Sequence, residues 1–79
     1  MARVLLFGRF SDLAGWRDRQ IEADSLSALK VILAGEDAHL GEALDGKGVQ
    51  VAVDQAIVRG DVVLSARSEV AFLPPMSGG

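Results

Sequence analysis

The chain contains no cysteine. That excludes disulfides, thiol nucleophiles and Cys-based zinc sites. A single histidine, His39, leaves no second imidazole from which to build a metal centre, so no metal is expected. Basic residues are outnumbered, 8 against 11 acidic, and the net charge of −3 argues against the phosphate backbone of a nucleic acid as a partner. A basic patch on a partner protein suits this charge better. Apolar runs are short, and none approaches the length that crosses a bilayer. Met1-Ala2-Arg3-Val4 leads directly into a strand pattern rather than a long apolar leader. Neither a signal peptide nor a membrane association is therefore expected, and a cytoplasmic location is the default. Proline is scarce as well: the only two are adjacent, Pro74 and Pro75.

What is present fits one small folded unit. A chain of 79 residues forms one domain with one modest core and has no room for a deep substrate cleft. Apolar residues make up 49% and charged residues 24%, the balance of a globule rather than a disordered chain.

Periodicity supplies the elements. Arg3 to Gly8 reads as a strand with Val4 and Leu6 on one face and Leu5 and Phe7 on the other; apolar character on both faces predicts a central position. Phe10 to Gly15 reads as a turn of helix capped by Ser11 and stopped by Gly15. Trp16 reads as a lid over the edge of the core. Arg17 to Ala23, mostly charged or polar and with Ile21 its one large apolar residue, suits an edge strand. Ser25 caps a helix running to about Ala34, with Leu26, Leu29, Ile32 and Leu33 as its apolar stripe and Gly35 as its end. Ala38 to Leu44 predicts a second short helix, stopped at Gly46. Val49, Val51 and Val53 alternate with Gln50 and Ala52 as a strand, and Asp54-Gln55 turns the chain into Ala56-Ile57-Val58. Val62 to Leu64 is a short apolar piece.

The last strand is Glu69-Val70-Ala71-Phe72-Leu73. With the first strand beside it at the centre, the connection must be a crossover and the pair parallel. The expected architecture is α+β, a mixed sheet with one main helix packed on one face. That arrangement covers only one side of the sheet. Val4, Leu6, Val70 and Phe72 are assigned to the core, and Phe7 and Leu73 to an open face suited to a partner.

No residue pattern supplies catalysis. The acidic residues show no acid/base spacing. Gly46-Lys47-Gly48 is too short for a phosphate loop. Arg59-Gly60-Asp61 reads as a hairpin turn. Ser77 has no neighbouring base to activate it. The remaining reactive handle is the carboxylate at Gly79. After the last strand, Pro74 and Pro75 stop the ladder and hold the backbone extended. Met76, Ser77, Gly78 and Gly79 then form a thin tail, 76–79, beyond a domain at 1–75. Glycines lack a Cβ, so such a tail can enter a narrow channel.

Val4-Leu5-Leu6-Phe7, the Val53-Asp54-Gln55 turn and the run from Glu69 through Pro74-Pro75 to Gly78-Gly79 together resemble the small subunits of molybdopterin synthase. The resemblance covers the whole chain and implies a ubiquitin-like β-grasp fold. It implies that Gly79 is adenylated by a ubiquitin-activating-like adenylyltransferase and converted to a thiocarboxylate. The sulfur would then pass, in the active site of the large subunit, to cyclic pyranopterin monophosphate to form the dithiolene of molybdopterin. On that reading Gly79 bears the sulfur, and Gly78, Ser77 and Met76 line up for passage. Phe7, Leu73, Pro74 and Pro75 seat the large subunit in a heterotetramer. The chain would bind no cofactor itself, ATP and Mg being used by the activating enzyme. Two departures concern turns: Asp54 stands where the family often has Asn, and Ala66-Arg67-Ser68 replaces an acidic-Gly-acidic turn. A carrier for the thiamine thiazole or another sulfur pathway, a ubiquitin-like modifier joined to lysines and a plain interaction module are the alternatives.

Overall fold

The computed structural model describes residues 1–75. Its elements are β1 (Ala2–Leu6), α1 (Arg9–Ala14), β2 (Asp18–Ile21), α2 (Leu26–Glu36), α3 (Ala38–Leu44), β3 (Gln50–Val53), β4 (Ala56–Val58) and β5 (Glu69–Leu73). One sheet has the order β2-β1-β5-β3-β4. The central pair, β1 and β5, is parallel and all other pairs are antiparallel. This is the β-grasp arrangement, and the parallel pairing of the first and last strands is as the alternation predicts.

Register decides which face is core. Val4 lies beside Val70 and Leu6 beside Phe72. These four are 0–3% exposed and pack with Leu26, Leu29 and Leu33 of α2 and Leu40 and Leu44 of α3. Aliphatic burial of this kind, at about 25 cal/mol per Å² of apolar surface, is the main force holding the two layers together. Trp16 is half-buried against the cluster, with the Arg19 guanidinium 4.8 Å above its ring. Arg19 also pairs with Glu36 at 2.8 Å, tying the edge strand β2 to the end of α2.

Several boundaries differ from the sequence reading, β2 for one being shorter, Asp18–Ile21. β1 ends at Leu6 rather than Gly8, although the Phe7 amide still donates to the Phe72 carbonyl at 3.3 Å. α1 is capped by Gly8, not Ser11, whose hydroxyl instead donates back to the Gly8 carbonyl. Burial of Phe10 requires the helix to begin before Ser11. Gly35 does not end α2. Asp37 does, because its carboxylate accepts the His39 and Leu40 amides and starts α3 there. α3 in turn closes on Asp45, one residue before Gly46.

The N-terminus of α2 is fixed from two sides. The Ser25 hydroxyl accepts from the Ala28 amide, as expected of a cap. The Asp61 carboxylate accepts from the Ser27 amide at 2.8 Å and the Ser27 hydroxyl at 2.7 Å. Arg59-Gly60-Asp61 is thus not a hairpin turn, since β4 is the edge strand and pairs only with β3, but a turn whose acid clamps a helix start.

Candidate functional site: the uncovered sheet face and the root of the tail

The face opposite α2 is assembled by strand register. Leu5, Ala71, Ala52 and Ile57 stand in one row across β1, β5, β3 and β4. In the next row Leu73 is opposite Gln50, with Phe7 alongside through its bond to the Phe72 carbonyl. Phe7 is 45% and Ile57 51% exposed, high values for large apolar side chains. A patch of this kind on a small domain marks a surface for a partner.

Charge bounds the patch on one side. Arg3, one row back, donates to both oxygens of Asp18, at 2.6 Å from Nη2 to Oδ2 and 3.1 Å from Nε to Oδ1. It also reaches Glu69 at 3.5 Å. The hydrogen bonds from Arg3 hold the Asp18 carboxyl below the usual carboxylate range and raise Arg3. Both side chains are half-exposed, so the pair sets a polar rim more than it stabilises the fold.

The strand that leads to the chain's end is anchored at its start. Asp54 and Gln55 adopt positive φ, 51° and 71°, the two-residue turn expected there. The Asp54 amide donates to the Glu69 carbonyl and the Asp54 carboxylate accepts the Glu69 amide, at 2.8 and 2.9 Å. The acid thereby supplies an acceptor for which an Asn would serve equally. The turn before β5 is held by serines: the buried Ser68 hydroxyl accepts the Ser65 amide, and the Ser65 hydroxyl accepts that of Arg67. Hydroxyls take the place of the acidic-Gly-acidic pattern.

At the other end of β5, Leu73, Pro74 and Pro75 are all half-buried. Pro74 lies against Gly8 and Pro75 against Gly48. The sequence-assigned residues Phe7, Leu73, Pro74 and Pro75 are therefore brought to one end of the sheet. Met76, Ser77, Gly78 and Gly79 lie outside the described residues. Ile57 was missed by sequence reading. The two-residue turn at Asp54-Gln55 fixes Ala52 opposite Ile57 and could have placed it on this face.

A groove of about 340 Å³ on the helix side runs between α2 and the β3–β4 hairpin, lined by Leu26, Lys30, Val51, Val58 and Asp61 among others. Two of its charged groups are already engaged, Lys30 with Asp45 at 2.8 Å and Asp61 with Ser27. The hydrogen bonds from Ser27 hold the Asp61 carboxyl below its usual range. This is the chemistry of a helix clamp, with no base beside a nucleophile.

Residues 4–79 match the ThiS family. The chain is similar to the molybdopterin synthase sulfur carrier subunit of Escherichia coli (strain K12), with 33% identity over 81 residues and 100% of both chains covered. It is similar in fold to SAMP1 from Haloferax volcanii, with a TM-score of 0.80 at 22% identity, 99% of this chain and 98% of that one being covered. The small archaeal modifier protein 1 (SAMP1) from Methanosarcina acetivorans superposes with a TM-score of 0.86 at 18% identity, covering 99% and 95%.

Proposed function

The chain belongs to the ThiS family, and from that premise we propose that it is the sulfur carrier subunit of a molybdopterin synthase. The observation that carries this reading is the 33% identity to a molybdopterin synthase sulfur carrier subunit across the whole of both chains. The uncovered apolar face, leading into Pro74 and Pro75, supports it as a surface on which a large subunit would dock.

The chemistry belongs to the carboxylate of Gly79. A carboxylate resists nucleophiles until one oxygen becomes a leaving group. Attack of that oxygen on the α-phosphorus of ATP, in a ubiquitin-activating-like adenylyltransferase that holds the Mg, forms an acyl-adenylate and releases pyrophosphate. A sulfide equivalent then adds to the acyl carbon and AMP departs, leaving the thiocarboxylate. In the large subunit the sulfur attacks a carbon of cyclic pyranopterin monophosphate while still acylated, each carbon–sulfur bond replacing a carbon–oxygen bond whose oxygen leaves with the phosphate or as water. Water attacks the acyl carbon, frees the sulfur on the product and restores the Gly79 carboxylate. Two sulfurs, and so two such cycles, complete one dithiolene. The carrier binds no cofactor of its own. It works in the cytoplasm, in a heterotetramer of two small and two large subunits.

Reconstitution with the large subunit tests the reading. Removal of Gly79 abolishes molybdopterin formation while leaving the fold and docking intact. Product formation by the truncated chain would overturn it.

A further inference from the structure

Pro75 lies directly over the backbone of Gly48. A Cβ on Gly48 would stand 2.8 Å from the Pro75 Cβ, closer than such atoms approach, and a ring carbon has no rotamer by which to yield. A Cβ on Gly8 would stand 3.1 Å from the Pro74 Cγ. Gly8 belongs to the loop after β1 and Gly48 to the loop before β3, so the two prolines are seated by segments flanking β5 on both sides. Each proline has its φ fixed by its ring. A dipeptide with both φ angles fixed, seated on both sides, holds the end of the described chain in one place.

We propose that Gly48, together with Gly8, is a positioning residue for the chain's end: the missing side chain lets Pro74-Pro75 lie down and fixes the origin from which 76–79 reach a partner's active site. This rests on the carrier reading above. With the globule held on its partner by the sheet face, four residues span at most about 14 Å from Pro75 to Gly79. A displaced origin must be recovered within that reach. Misplacement of a reacting group by about 1 Å costs on the order of 10²-fold in rate. The loss falls on kcat, because the docking face that sets KM is untouched.

The molecule contains its own control. Gly60 holds φ 79°, against 80° for Gly48, but nothing lies within 4 Å of the Cβ it lacks. Alanine at either position meets the same backbone strain, and only at Gly48 does it also meet a proline. The test is pyrophosphate release from ATP by the adenylyltransferase of the same organism, with the full-length chain as varied substrate and sulfide present to discharge the acyl-adenylate and allow turnover. Gly48→Ala lowers kcat roughly tenfold, with KM near that of the unsubstituted chain, whereas Gly60→Ala keeps the original kcat. In a Pro75→Gly background, Gly48→Ala adds no further loss. Equal rates for Gly48→Ala and Gly60→Ala, or an undiminished Gly48→Ala effect in the Pro75→Gly background, would overturn the proposal. Cross-relaxation between the Gly48 Hα and Pro75 Hβ protons checks the seat separately, and its absence would also overturn it. Failure of the unsubstituted chain to be adenylated would count against the carrier reading, leaving the seat to be decided by that contact.

Discussion

Gly41 of α3 lies on Ala34 of α2 with no space for a side chain between them. A Cβ on Gly41 would overlap that of Ala34 and stand 2.7 Å from its Cα. The approach brings Leu40 and Leu44 onto the core beside Leu33. Replacing a helical glycine by alanine ordinarily stabilises by about 1 kcal/mol. Here overpacking reverses the sign, and Gly41→Ala is expected to destabilise by about 1–3 kcal/mol. Urea unfolding measures this, and a second change, Ala34→Gly, should return part of the loss.

Adjacent residues of β5 should respond oppositely. Phe72 is wholly buried and Leu73 looks onto the uncovered face. Phe72→Ala is expected to lower stability by about 3–5 kcal/mol. Leu73→Ala and Phe7→Ala should lower it far less but weaken large-subunit binding by about 1–3 kcal/mol each. Denaturant midpoints and titration calorimetry separate the two effects.

Acid should loosen the molecule through three carboxylates. Arg3 lowers Asp18, Arg19 lowers Glu36 and Ser27 lowers Asp61, relative to ordinary values of 3.8, 4.5 and 3.8. Each group binds a proton less readily folded than unfolded. Its contribution is present above the unfolded value and disappears as pH falls through the lower folded one. All three are exposed, so the contributions are small and screened by salt. Asp18→Ala and Asp61→Ala should each flatten the acid limb of a stability–pH curve relative to the unsubstituted chain.

Much of this was legible in the residues. Alternation on both faces of Val4-Leu5-Leu6-Phe7 and of the last strand placed them at the centre, and the stripe of α2 was read correctly. The end of α2 was not, because Gly35 carries a stop signal that the Asp37 cap of the next helix overrides. Ser11 misled in the same way: the need to bury Phe10 outweighed a good capping side chain. The face bearing Ile57 depends on register across a turn, which alternation within one strand does not convey. The contacts of Pro74 with Gly8 and of Pro75 with Gly48 join segments distant in sequence, and no local pattern signals them.

The central claim is that Gly79 carries sulfur, and intact mass of the chain purified from its native host tests it most directly. The account predicts a fraction heavier by one oxygen-to-sulfur exchange at Gly79, absent when the adenylyltransferase is deleted. A chain found only as the plain carboxylate, or joined through Gly79 to lysines of other proteins, would contradict it.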